Sequence, residues 1–176
     1  MSDSLALRIA NCIRNVSDFP KPGIQFKDIT PLLANAQLLG ETLAAMSEPF
    51  ANVRISHVVG VESRGFLFGV SIAQHLHCAF VPARKPGKLP WKTVNEKFAL
   101  EYGFDSLELH ADALGVGARV LVVDDVLATG GTLAATCRLV ERLQGQVVGV
   151  SVLAEIPAIR NAGLTISTPV HSLLQF

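Results

Sequence analysis

The sequence carries no excess charge, few aromatic rings and too few cysteines to build on. Lys plus Arg number 15, as do Asp plus Glu, which leaves no net charge. A chain so balanced exerts no general pull on nucleic acid, so any polyanion must be held locally. Cys12, Cys78 and Cys137 stand far apart in apolar surroundings. An odd, widely spaced set argues against a disulfide framework and reads as reduced core thiols. No apolar stretch approaches the ~20 residues that cross a bilayer. The segment Met1-Ser-Asp-Ser4 has no basic region ahead of an apolar one. The expectation is a cytoplasmic protein with neither signal peptide nor membrane partner. Metal-ligand clusters are also scarce. His75 and His77, two apart at a predicted helix end, face different directions.

Apolar residues, by contrast, make up 49% of the 176 residues and charged ones only 17%, enough for one well-filled domain spanning 1–176. A helix is expected from Ser4 to Asn15 and another from Asn35, as its cap, to Ser47. Strands follow at 54–61, 78–83, 120–123 and 146–153, with helices at 66–76 and 132–143 between them. Short apolar pieces at 164–166 and 173–174 are expected to finish the sheet edge. Strands alternating with helices predict an α/β fold with a doubly wound, mostly parallel sheet.

The chain is organised around Arg119-Val-Leu-Val-Val-Asp-Asp-Val-Leu-Ala-Thr-Gly-Gly-Thr132. Val120 to Val123 has no polar interruption, the pattern of a strand buried on both faces. It is expected to stop at Asp124 and Asp125. Ala128, Thr129, Gly130, Gly131 and Thr132 then lead into a helix. A small-residue loop at a helix N-terminus is an anion site, because amides point inward and the dipole favours a phosphate. No Lys follows the glycines, so this is not a Walker A loop. Two carboxylates ahead of a phosphate cradle suit a sugar bearing both hydroxyls and a phosphate.

This stretch resembles the phosphoribosyl pyrophosphate motif of type I phosphoribosyltransferases. The resemblance implies that the loop binds the 5′-phosphate and the acidic pair the ribose 2′- and 3′-hydroxyls. A second segment, Asp18-Phe-Pro-Lys-Pro-Gly-Ile-Gln-Phe-Lys-Asp-Ile-Thr-Pro-Leu-Leu33, has too many prolines for a long regular element. It is similar to the hood of adenine phosphoribosyltransferases. By that likeness residues 1–34 form a helix and purine hood, and 35–176 form the core. Phe26 stacks on adenine while Gln25 and Lys27 offer main-chain contacts.

Two further loops follow predicted strands. Glu62-Ser-Arg-Gly-Phe66 opens a helix, where Arg64 supplies charge and the amides supply donors. It resembles the family's second loop, which implies a strained, often cis, Glu62–Ser63 bond turning amides towards pyrophosphate. Arg84-Lys-Pro-Gly-Lys-Leu-Pro-Trp-Lys92 gathers the basic residues Arg84, Lys85 and Lys88 at the carboxyl end of a strand, as an anion clamp does. Residues 98–103 and 107–110 alternate weakly, a marginal hairpin within a lid loop spanning 84–110. Its Leu-Glu-Tyr-Gly run resembles the family's flexible catalytic loop. Glu101 is then the proton-transfer group, with Tyr102 helping to seal the site.

The resemblance covers Phe19 to Thr132 and implies a reaction. Adenine and 5-phosphoribosyl 1-pyrophosphate give AMP and pyrophosphate. Mg²⁺ is held by substrate oxygens and water rather than by protein ligands. The family also implies a homodimer with Arg64 near the shared interface. Two alternatives stand beside this: transfer to another purine, and a non-catalytic sensor of phosphoribosyl pyrophosphate. The sensor would need a DNA-binding module and a basic face, and neither is evident.

Overall fold

The computed structural model describes residues 4–99, 103–161 and 166–176. They fall into two compact units, Met1–Ala45 and Met46–Phe176.

In the first unit, α1 (Leu5–Cys12) starts where Ser4 Oγ accepts from Leu7 N at 3.3 Å. The helix is shorter than the expected 4–15. Its last residues instead form β1 (Arg14–Ser17), antiparallel to β2 (Gln25–Asp28) with Val16 opposite Phe26. A strand partner and the Arg14–Asp28 ion pair at 3.5 Å win over helical periodicity here. Asp28 Oδ1 accepts from Thr30 N at 2.9 Å and opens α2 (Thr30–Leu33). Asn35 caps α3 (Ala36–Ser47) as expected, accepting from Leu38 N at 3.1 Å.

The second unit is built on a five-stranded, all-parallel sheet. In chain order its elements are β3 (His57–Val61), α4 (Arg64–His75) and β4 (Ala79–Ala83). Then come β5 (Thr93–Ala99), β6 (Phe104–His110), β7 (Arg119–Leu127), α5 (Gly131–Arg142), β8 (Gln146–Glu155) and β9 (Val170–Gln175). The strand order is β4-β3-β7-β8-β9. Val120 to Val123 are wholly buried, as an uninterrupted apolar run in a central parallel strand must be. Only β9 represents the expected edge pieces. Leu164 and Thr165 lie outside the described residues, and Ile166 is not in a strand.

β5 and β6 form a longer antiparallel hairpin than the sequence suggests, pairing Thr93 with His110 through Ala99 with Phe104. Phe98, Leu107 and Leu109 are buried in the same cluster as Leu133 and Leu139 of α5. Glu96 receives Arg138 Nε at 2.6 Å and Arg142 at 3.2 Å. The hairpin body is therefore anchored along α5. Weak alternation concealed this because Glu96 and Asn95 face charged partners, not solvent alone.

Candidate functional site

Three loops leave the carboxyl ends of neighbouring strands β4, β3 and β7. In a parallel sheet those ends share one edge, so residues 62–65, 84–88 and 124–132 come together there. At β3 the Glu62–Ser63 peptide is cis, as the family likeness implied. The chain then enters α4 at Arg64, whose N-cap Ser63 makes no side-chain cap bond.

The acidic pair lies inside β7 and not beyond it. The ladder to β8 continues through Asp124 opposite Val152 and Val126 opposite Ala154, which carries the strand to Leu127. Asp125 is 3% exposed, and its Oδ2 forms an ion pair with Arg64 Nε at 2.8 Å. Asp124 Oδ1 accepts from Asp125 N at 2.9 Å. Burial first, and then the neighbouring Asp125 charge, push the Asp124 carboxyl well above the usual range. Asp125 is also raised by burial, with Arg64 pulling the other way. Burial and the neighbouring charge make it costly to ionise both carboxyls at once, and a cation or a hydrogen donor at the pair offsets that cost.

Gly65 makes the close approach between α4 and β7 possible. A Cβ there would stand 2.8 Å from Val123 O and 3.0 Å from Asp124 Oδ1. That seats the first turn of α4 directly against the acidic pair. Sequence spacing marks Gly65 as a helix-start residue but carries no signal for this contact.

After Leu127 the chain turns at Ala128-Thr129-Gly130 into α5, which begins at Gly131, one residue before the expected Thr132. Gly130 takes φ 91° and ψ −8°, the left-handed region where glycine carries no penalty. No side chain caps the helix. A recess of about 50 Å³ opens here, bordered by Ala128, Thr129, Gly130 and Thr132. It is lined by a turn and by the first, uncapped turn of a 12-residue helix, the arrangement that holds a tetrahedral anion.

The basic loop is already engaged. Arg84 grips Glu62 with Nε and a terminal nitrogen at 3.1 and 3.2 Å, and Lys85 N donates to the same carboxylate at 2.9 Å. Burial works to raise the Glu62 pKa, but these donors outweigh it and the carboxyl lies below its usual range. Lys85 Nζ pairs with Asp105 Oδ2 at 2.7 Å, and Arg84 also donates to Lys88 O at 3.0 Å. The Lys88 side chain is exposed and makes no ion pair among the described residues. Glu62 thus braces the basic loop. Asp105 and Glu96 went unnoticed in the sequence because their partners are distant along the chain.

Within the first unit, Phe26 is half-buried on β2 between Gln25 and Lys27. The Gln25 side chain bonds Ser17 at 3.2 Å, and Lys27 Nζ donates to Asn15 Oδ1 at 2.8 Å. The lysine side chain is therefore occupied on its own hairpin. Glu101 and Tyr102 lie outside the described residues. Among the described residues no three His, Cys, Asp or Glu side chains gather to hold a metal, and no helix is long and apolar enough to cross a membrane.

A family model described as a phosphoribosyl transferase domain matches residues 26–163. The adenine phosphoribosyltransferase of Myxococcus xanthus is 54% identical over 164 residues, covering 93% of this chain and 89% of that protein. Its counterpart in Anaeromyxobacter dehalogenans is 50% identical over 176 residues, the full length of both. The crystal structure of the Rhodothermus marinus adenine phosphoribosyltransferase matches with a TM-score of 0.93 at 50% identity, over 98% of each chain. The Saccharomyces cerevisiae enzyme, solved with an imino-altritol bisphosphate and adenine, matches with a TM-score of 0.90 at 36% identity, over 97% of this chain and 98% of that one.

Proposed function

The chain belongs to the phosphoribosyl transferase domain family, and we propose that it transfers the phosphoribosyl group of 5-phosphoribosyl 1-pyrophosphate to adenine, releasing AMP and pyrophosphate. The observation that carries this reading is the uncapped start of α5 at a left-handed glycine, directly downstream of an acidic pair whose second member, Asp125, is buried. Amides from Ala128 to Thr132 hold the 5′-phosphate. Asp124 and Asp125 take the ribose 2′- and 3′-hydroxyls, each of which can donate to a carboxylate oxygen.

Departure of pyrophosphate leaves positive charge on the ribose and negative charge on the leaving group. The buried carboxylates stabilise the first across a short, water-poor gap. Arg64, Arg84, Lys85 and Lys88, with the amides of the Glu62–Ser63 turn, stabilise the second. Glu62 contributes by holding the Arg84 guanidinium and the Lys85 amide in place. In the hood, Phe26 stacks on adenine, and the main chain at Gln25 and Lys27 reads its edge. Glu101, which falls between β5 and β6 in the chain, takes the proton that adenine releases, and Tyr102 helps to exclude water.

The donor set fits Mg²⁺ in one manner. Hard carboxylate oxygens are present in the acidic pair, but no protein cage of three or more ligands forms among the described residues. Mg²⁺ would be held by the substrate's own oxygens and by water, and Asp124 and Asp125 would offer hard oxygens to that hydrated ion. Once bound it neutralises charge on the pyrophosphate. The enzyme works as a cytoplasmic homodimer, with Arg64 near the shared interface.

The direct test is to assay adenine, hypoxanthine, guanine and xanthine side by side with phosphoribosyl pyrophosphate and Mg²⁺. AMP formation far exceeding the other three products is the expected result. Preferential use of a 6-oxopurine would overturn the assignment of the base.

A further inference from the structure

The assignments above use only one member of an aromatic pair in the amino-terminal unit. Phe19 and Phe26 meet edge to face, with ring centroids 5.1 Å apart and planes at 72°. Phe26 sits on β2 opposite Val16, and Phe19 lies in the connection that joins β1 to β2. Phe19 is 51% exposed, so burial alone does not explain its position.

The connection is closed from within. Asp18, at φ 58°, accepts from Gly23 N at 2.7 Å, and Ile24 N donates to Lys21 O at 3.2 Å. Gly23 takes φ +84°, so the turn can tighten there without a side-chain penalty. At the foot of the turn, Ser17 and Gln25 stand opposite in the ladder and join their side chains at 3.2 Å. The ladder holds β2, the turn holds Phe19, and the ring contact passes that order on to Phe26.

We infer that Phe19 is a positioning residue for the purine, its edge-to-face contact fixing the Phe26 ring in the orientation onto which adenine stacks. The inference rests on Phe26 being the stacking residue. A ring held by a neighbour loses less freedom when a flat base settles on it than a ring free to turn, so the pair preorganises the site. The contact depends on ring electrostatics, with a positive edge against a negative face, and aliphatic bulk does not replace it.

The experiment compares F19A, F19L, F19Y and F26A in the full chain, varying adenine at saturating phosphoribosyl pyrophosphate and then the reverse. An aromatic pair of this kind contributes about two- to twelvefold in an equilibrium constant. F19A and F19L are expected to raise the KM for adenine by that factor, while F19Y, which keeps the ring, returns it near wild type. The loss falls on adenine KM rather than on kcat, and the KM for phosphoribosyl pyrophosphate does not follow it. Wild-type adenine KM in both F19A and F19L, beside a raised value in F26A, overturns the inference and leaves the stack standing. A rise in both substrates' KM values means a general disturbance of the hairpin and also overturns it. Wild-type adenine KM in F26A removes the stack itself, and the inference with it.

Discussion

Adding one methyl group at Gly65 tests the site more sharply than removing a charge. In Gly65→Ala the new Cβ would lie 2.8 Å from Val123 O, 3.0 Å from Asp124 Oδ1 and 3.2 Å from Asp124 Cα. Two of these three are main-chain atoms of a central strand, and Val123 is paired with Gly60 on one side and Ser151 on the other. The sheet cannot yield, so the first turn of α4 must move away by several tenths of an ångström. Overpacking of this kind costs about 1–3 kcal/mol, against a helix-propensity gain of up to ~1 kcal/mol for Ala over Gly. The net cost is then about 0–3 kcal/mol, and since each kcal/mol moves Tm by about 2–4 °C for a chain of this length, a fall of up to roughly 12 °C is expected. The protein stays folded, but Arg64 and the Glu62–Ser63 turn move relative to the acidic pair. A misplacement near 1 Å can cost ~10²-fold in rate, so kcat/KM for phosphoribosyl pyrophosphate should fall by about one to two decades. Thermal unfolding and steady-state kinetics on the same preparation read both effects. A variant that matches wild type in Tm and within twofold in kcat/KM would show that the α4 start is not seated on Asp124.

Asp124→Asn should stabilise the ligand-free protein at neutral pH while abolishing turnover. The folded carboxyl titrates above its unfolded value because of burial and the Asp125 charge. Its contribution to stability is therefore fully present below the unfolded pKa and lost as pH rises through the folded one. The Tm advantage of Asn should be small near pH 4 and grow towards pH 7, and an advantage that shrinks with rising pH would contradict a carboxyl raised by burial. Gly130→Ala forces a β-carbon into φ +91°, where, among the described residues, the nearest atom to the new group is Leu127 Cδ1 at 3.6 Å. The penalty is backbone strain of about 1–2 kcal/mol, and calorimetric affinity for AMP should drop at least about tenfold; intact AMP binding in the folded variant would put the phosphate elsewhere. Glu101→Gln should slow the chemical step by ~10²–10⁴-fold and leave the Kd for phosphoribosyl pyrophosphate nearly unchanged. Pre-steady-state chemistry within about threefold of wild type, well short of that range, would make Glu101 a bystander.

Local physics is legible in a sequence, and several parts of this protein are local. An unbroken run of valines and a leucine at Val120 to Val123 is the pattern of a doubly buried strand, and so it is. Asn35 caps α3, and the glycines at 130 and 131 mark the turn into α5, because a cap or a left-handed residue needs no distant partner. Alternating strands and helices imply a parallel sheet, and that in turn implies that the loops at 62, 84 and 124 share an edge. The cis bond at Glu62–Ser63 came from family likeness alone, since no propensity signals it.

What required the tertiary structure are distances between residues remote in the chain. The sequence shows two adjacent acids but not that the β7–β8 ladder runs through them, nor that burial raises the pKa of both carboxyls. It shows a basic loop but not that Arg84 and Lys85 are braced on Glu62. Glu96 lies ahead of the hairpin expected at 98–103 and 107–110, and only the fold brings Arg138 and Arg142 of α5 alongside it. Gly65 reads as an ordinary helix start until Val123 O and Asp124 Oδ1 close on it. Charge, hydropathy and turn chemistry act over a few neighbouring residues. Ion pairing, desolvation and steric contact act over a few ångströms, and only the strand order decides which residues those are.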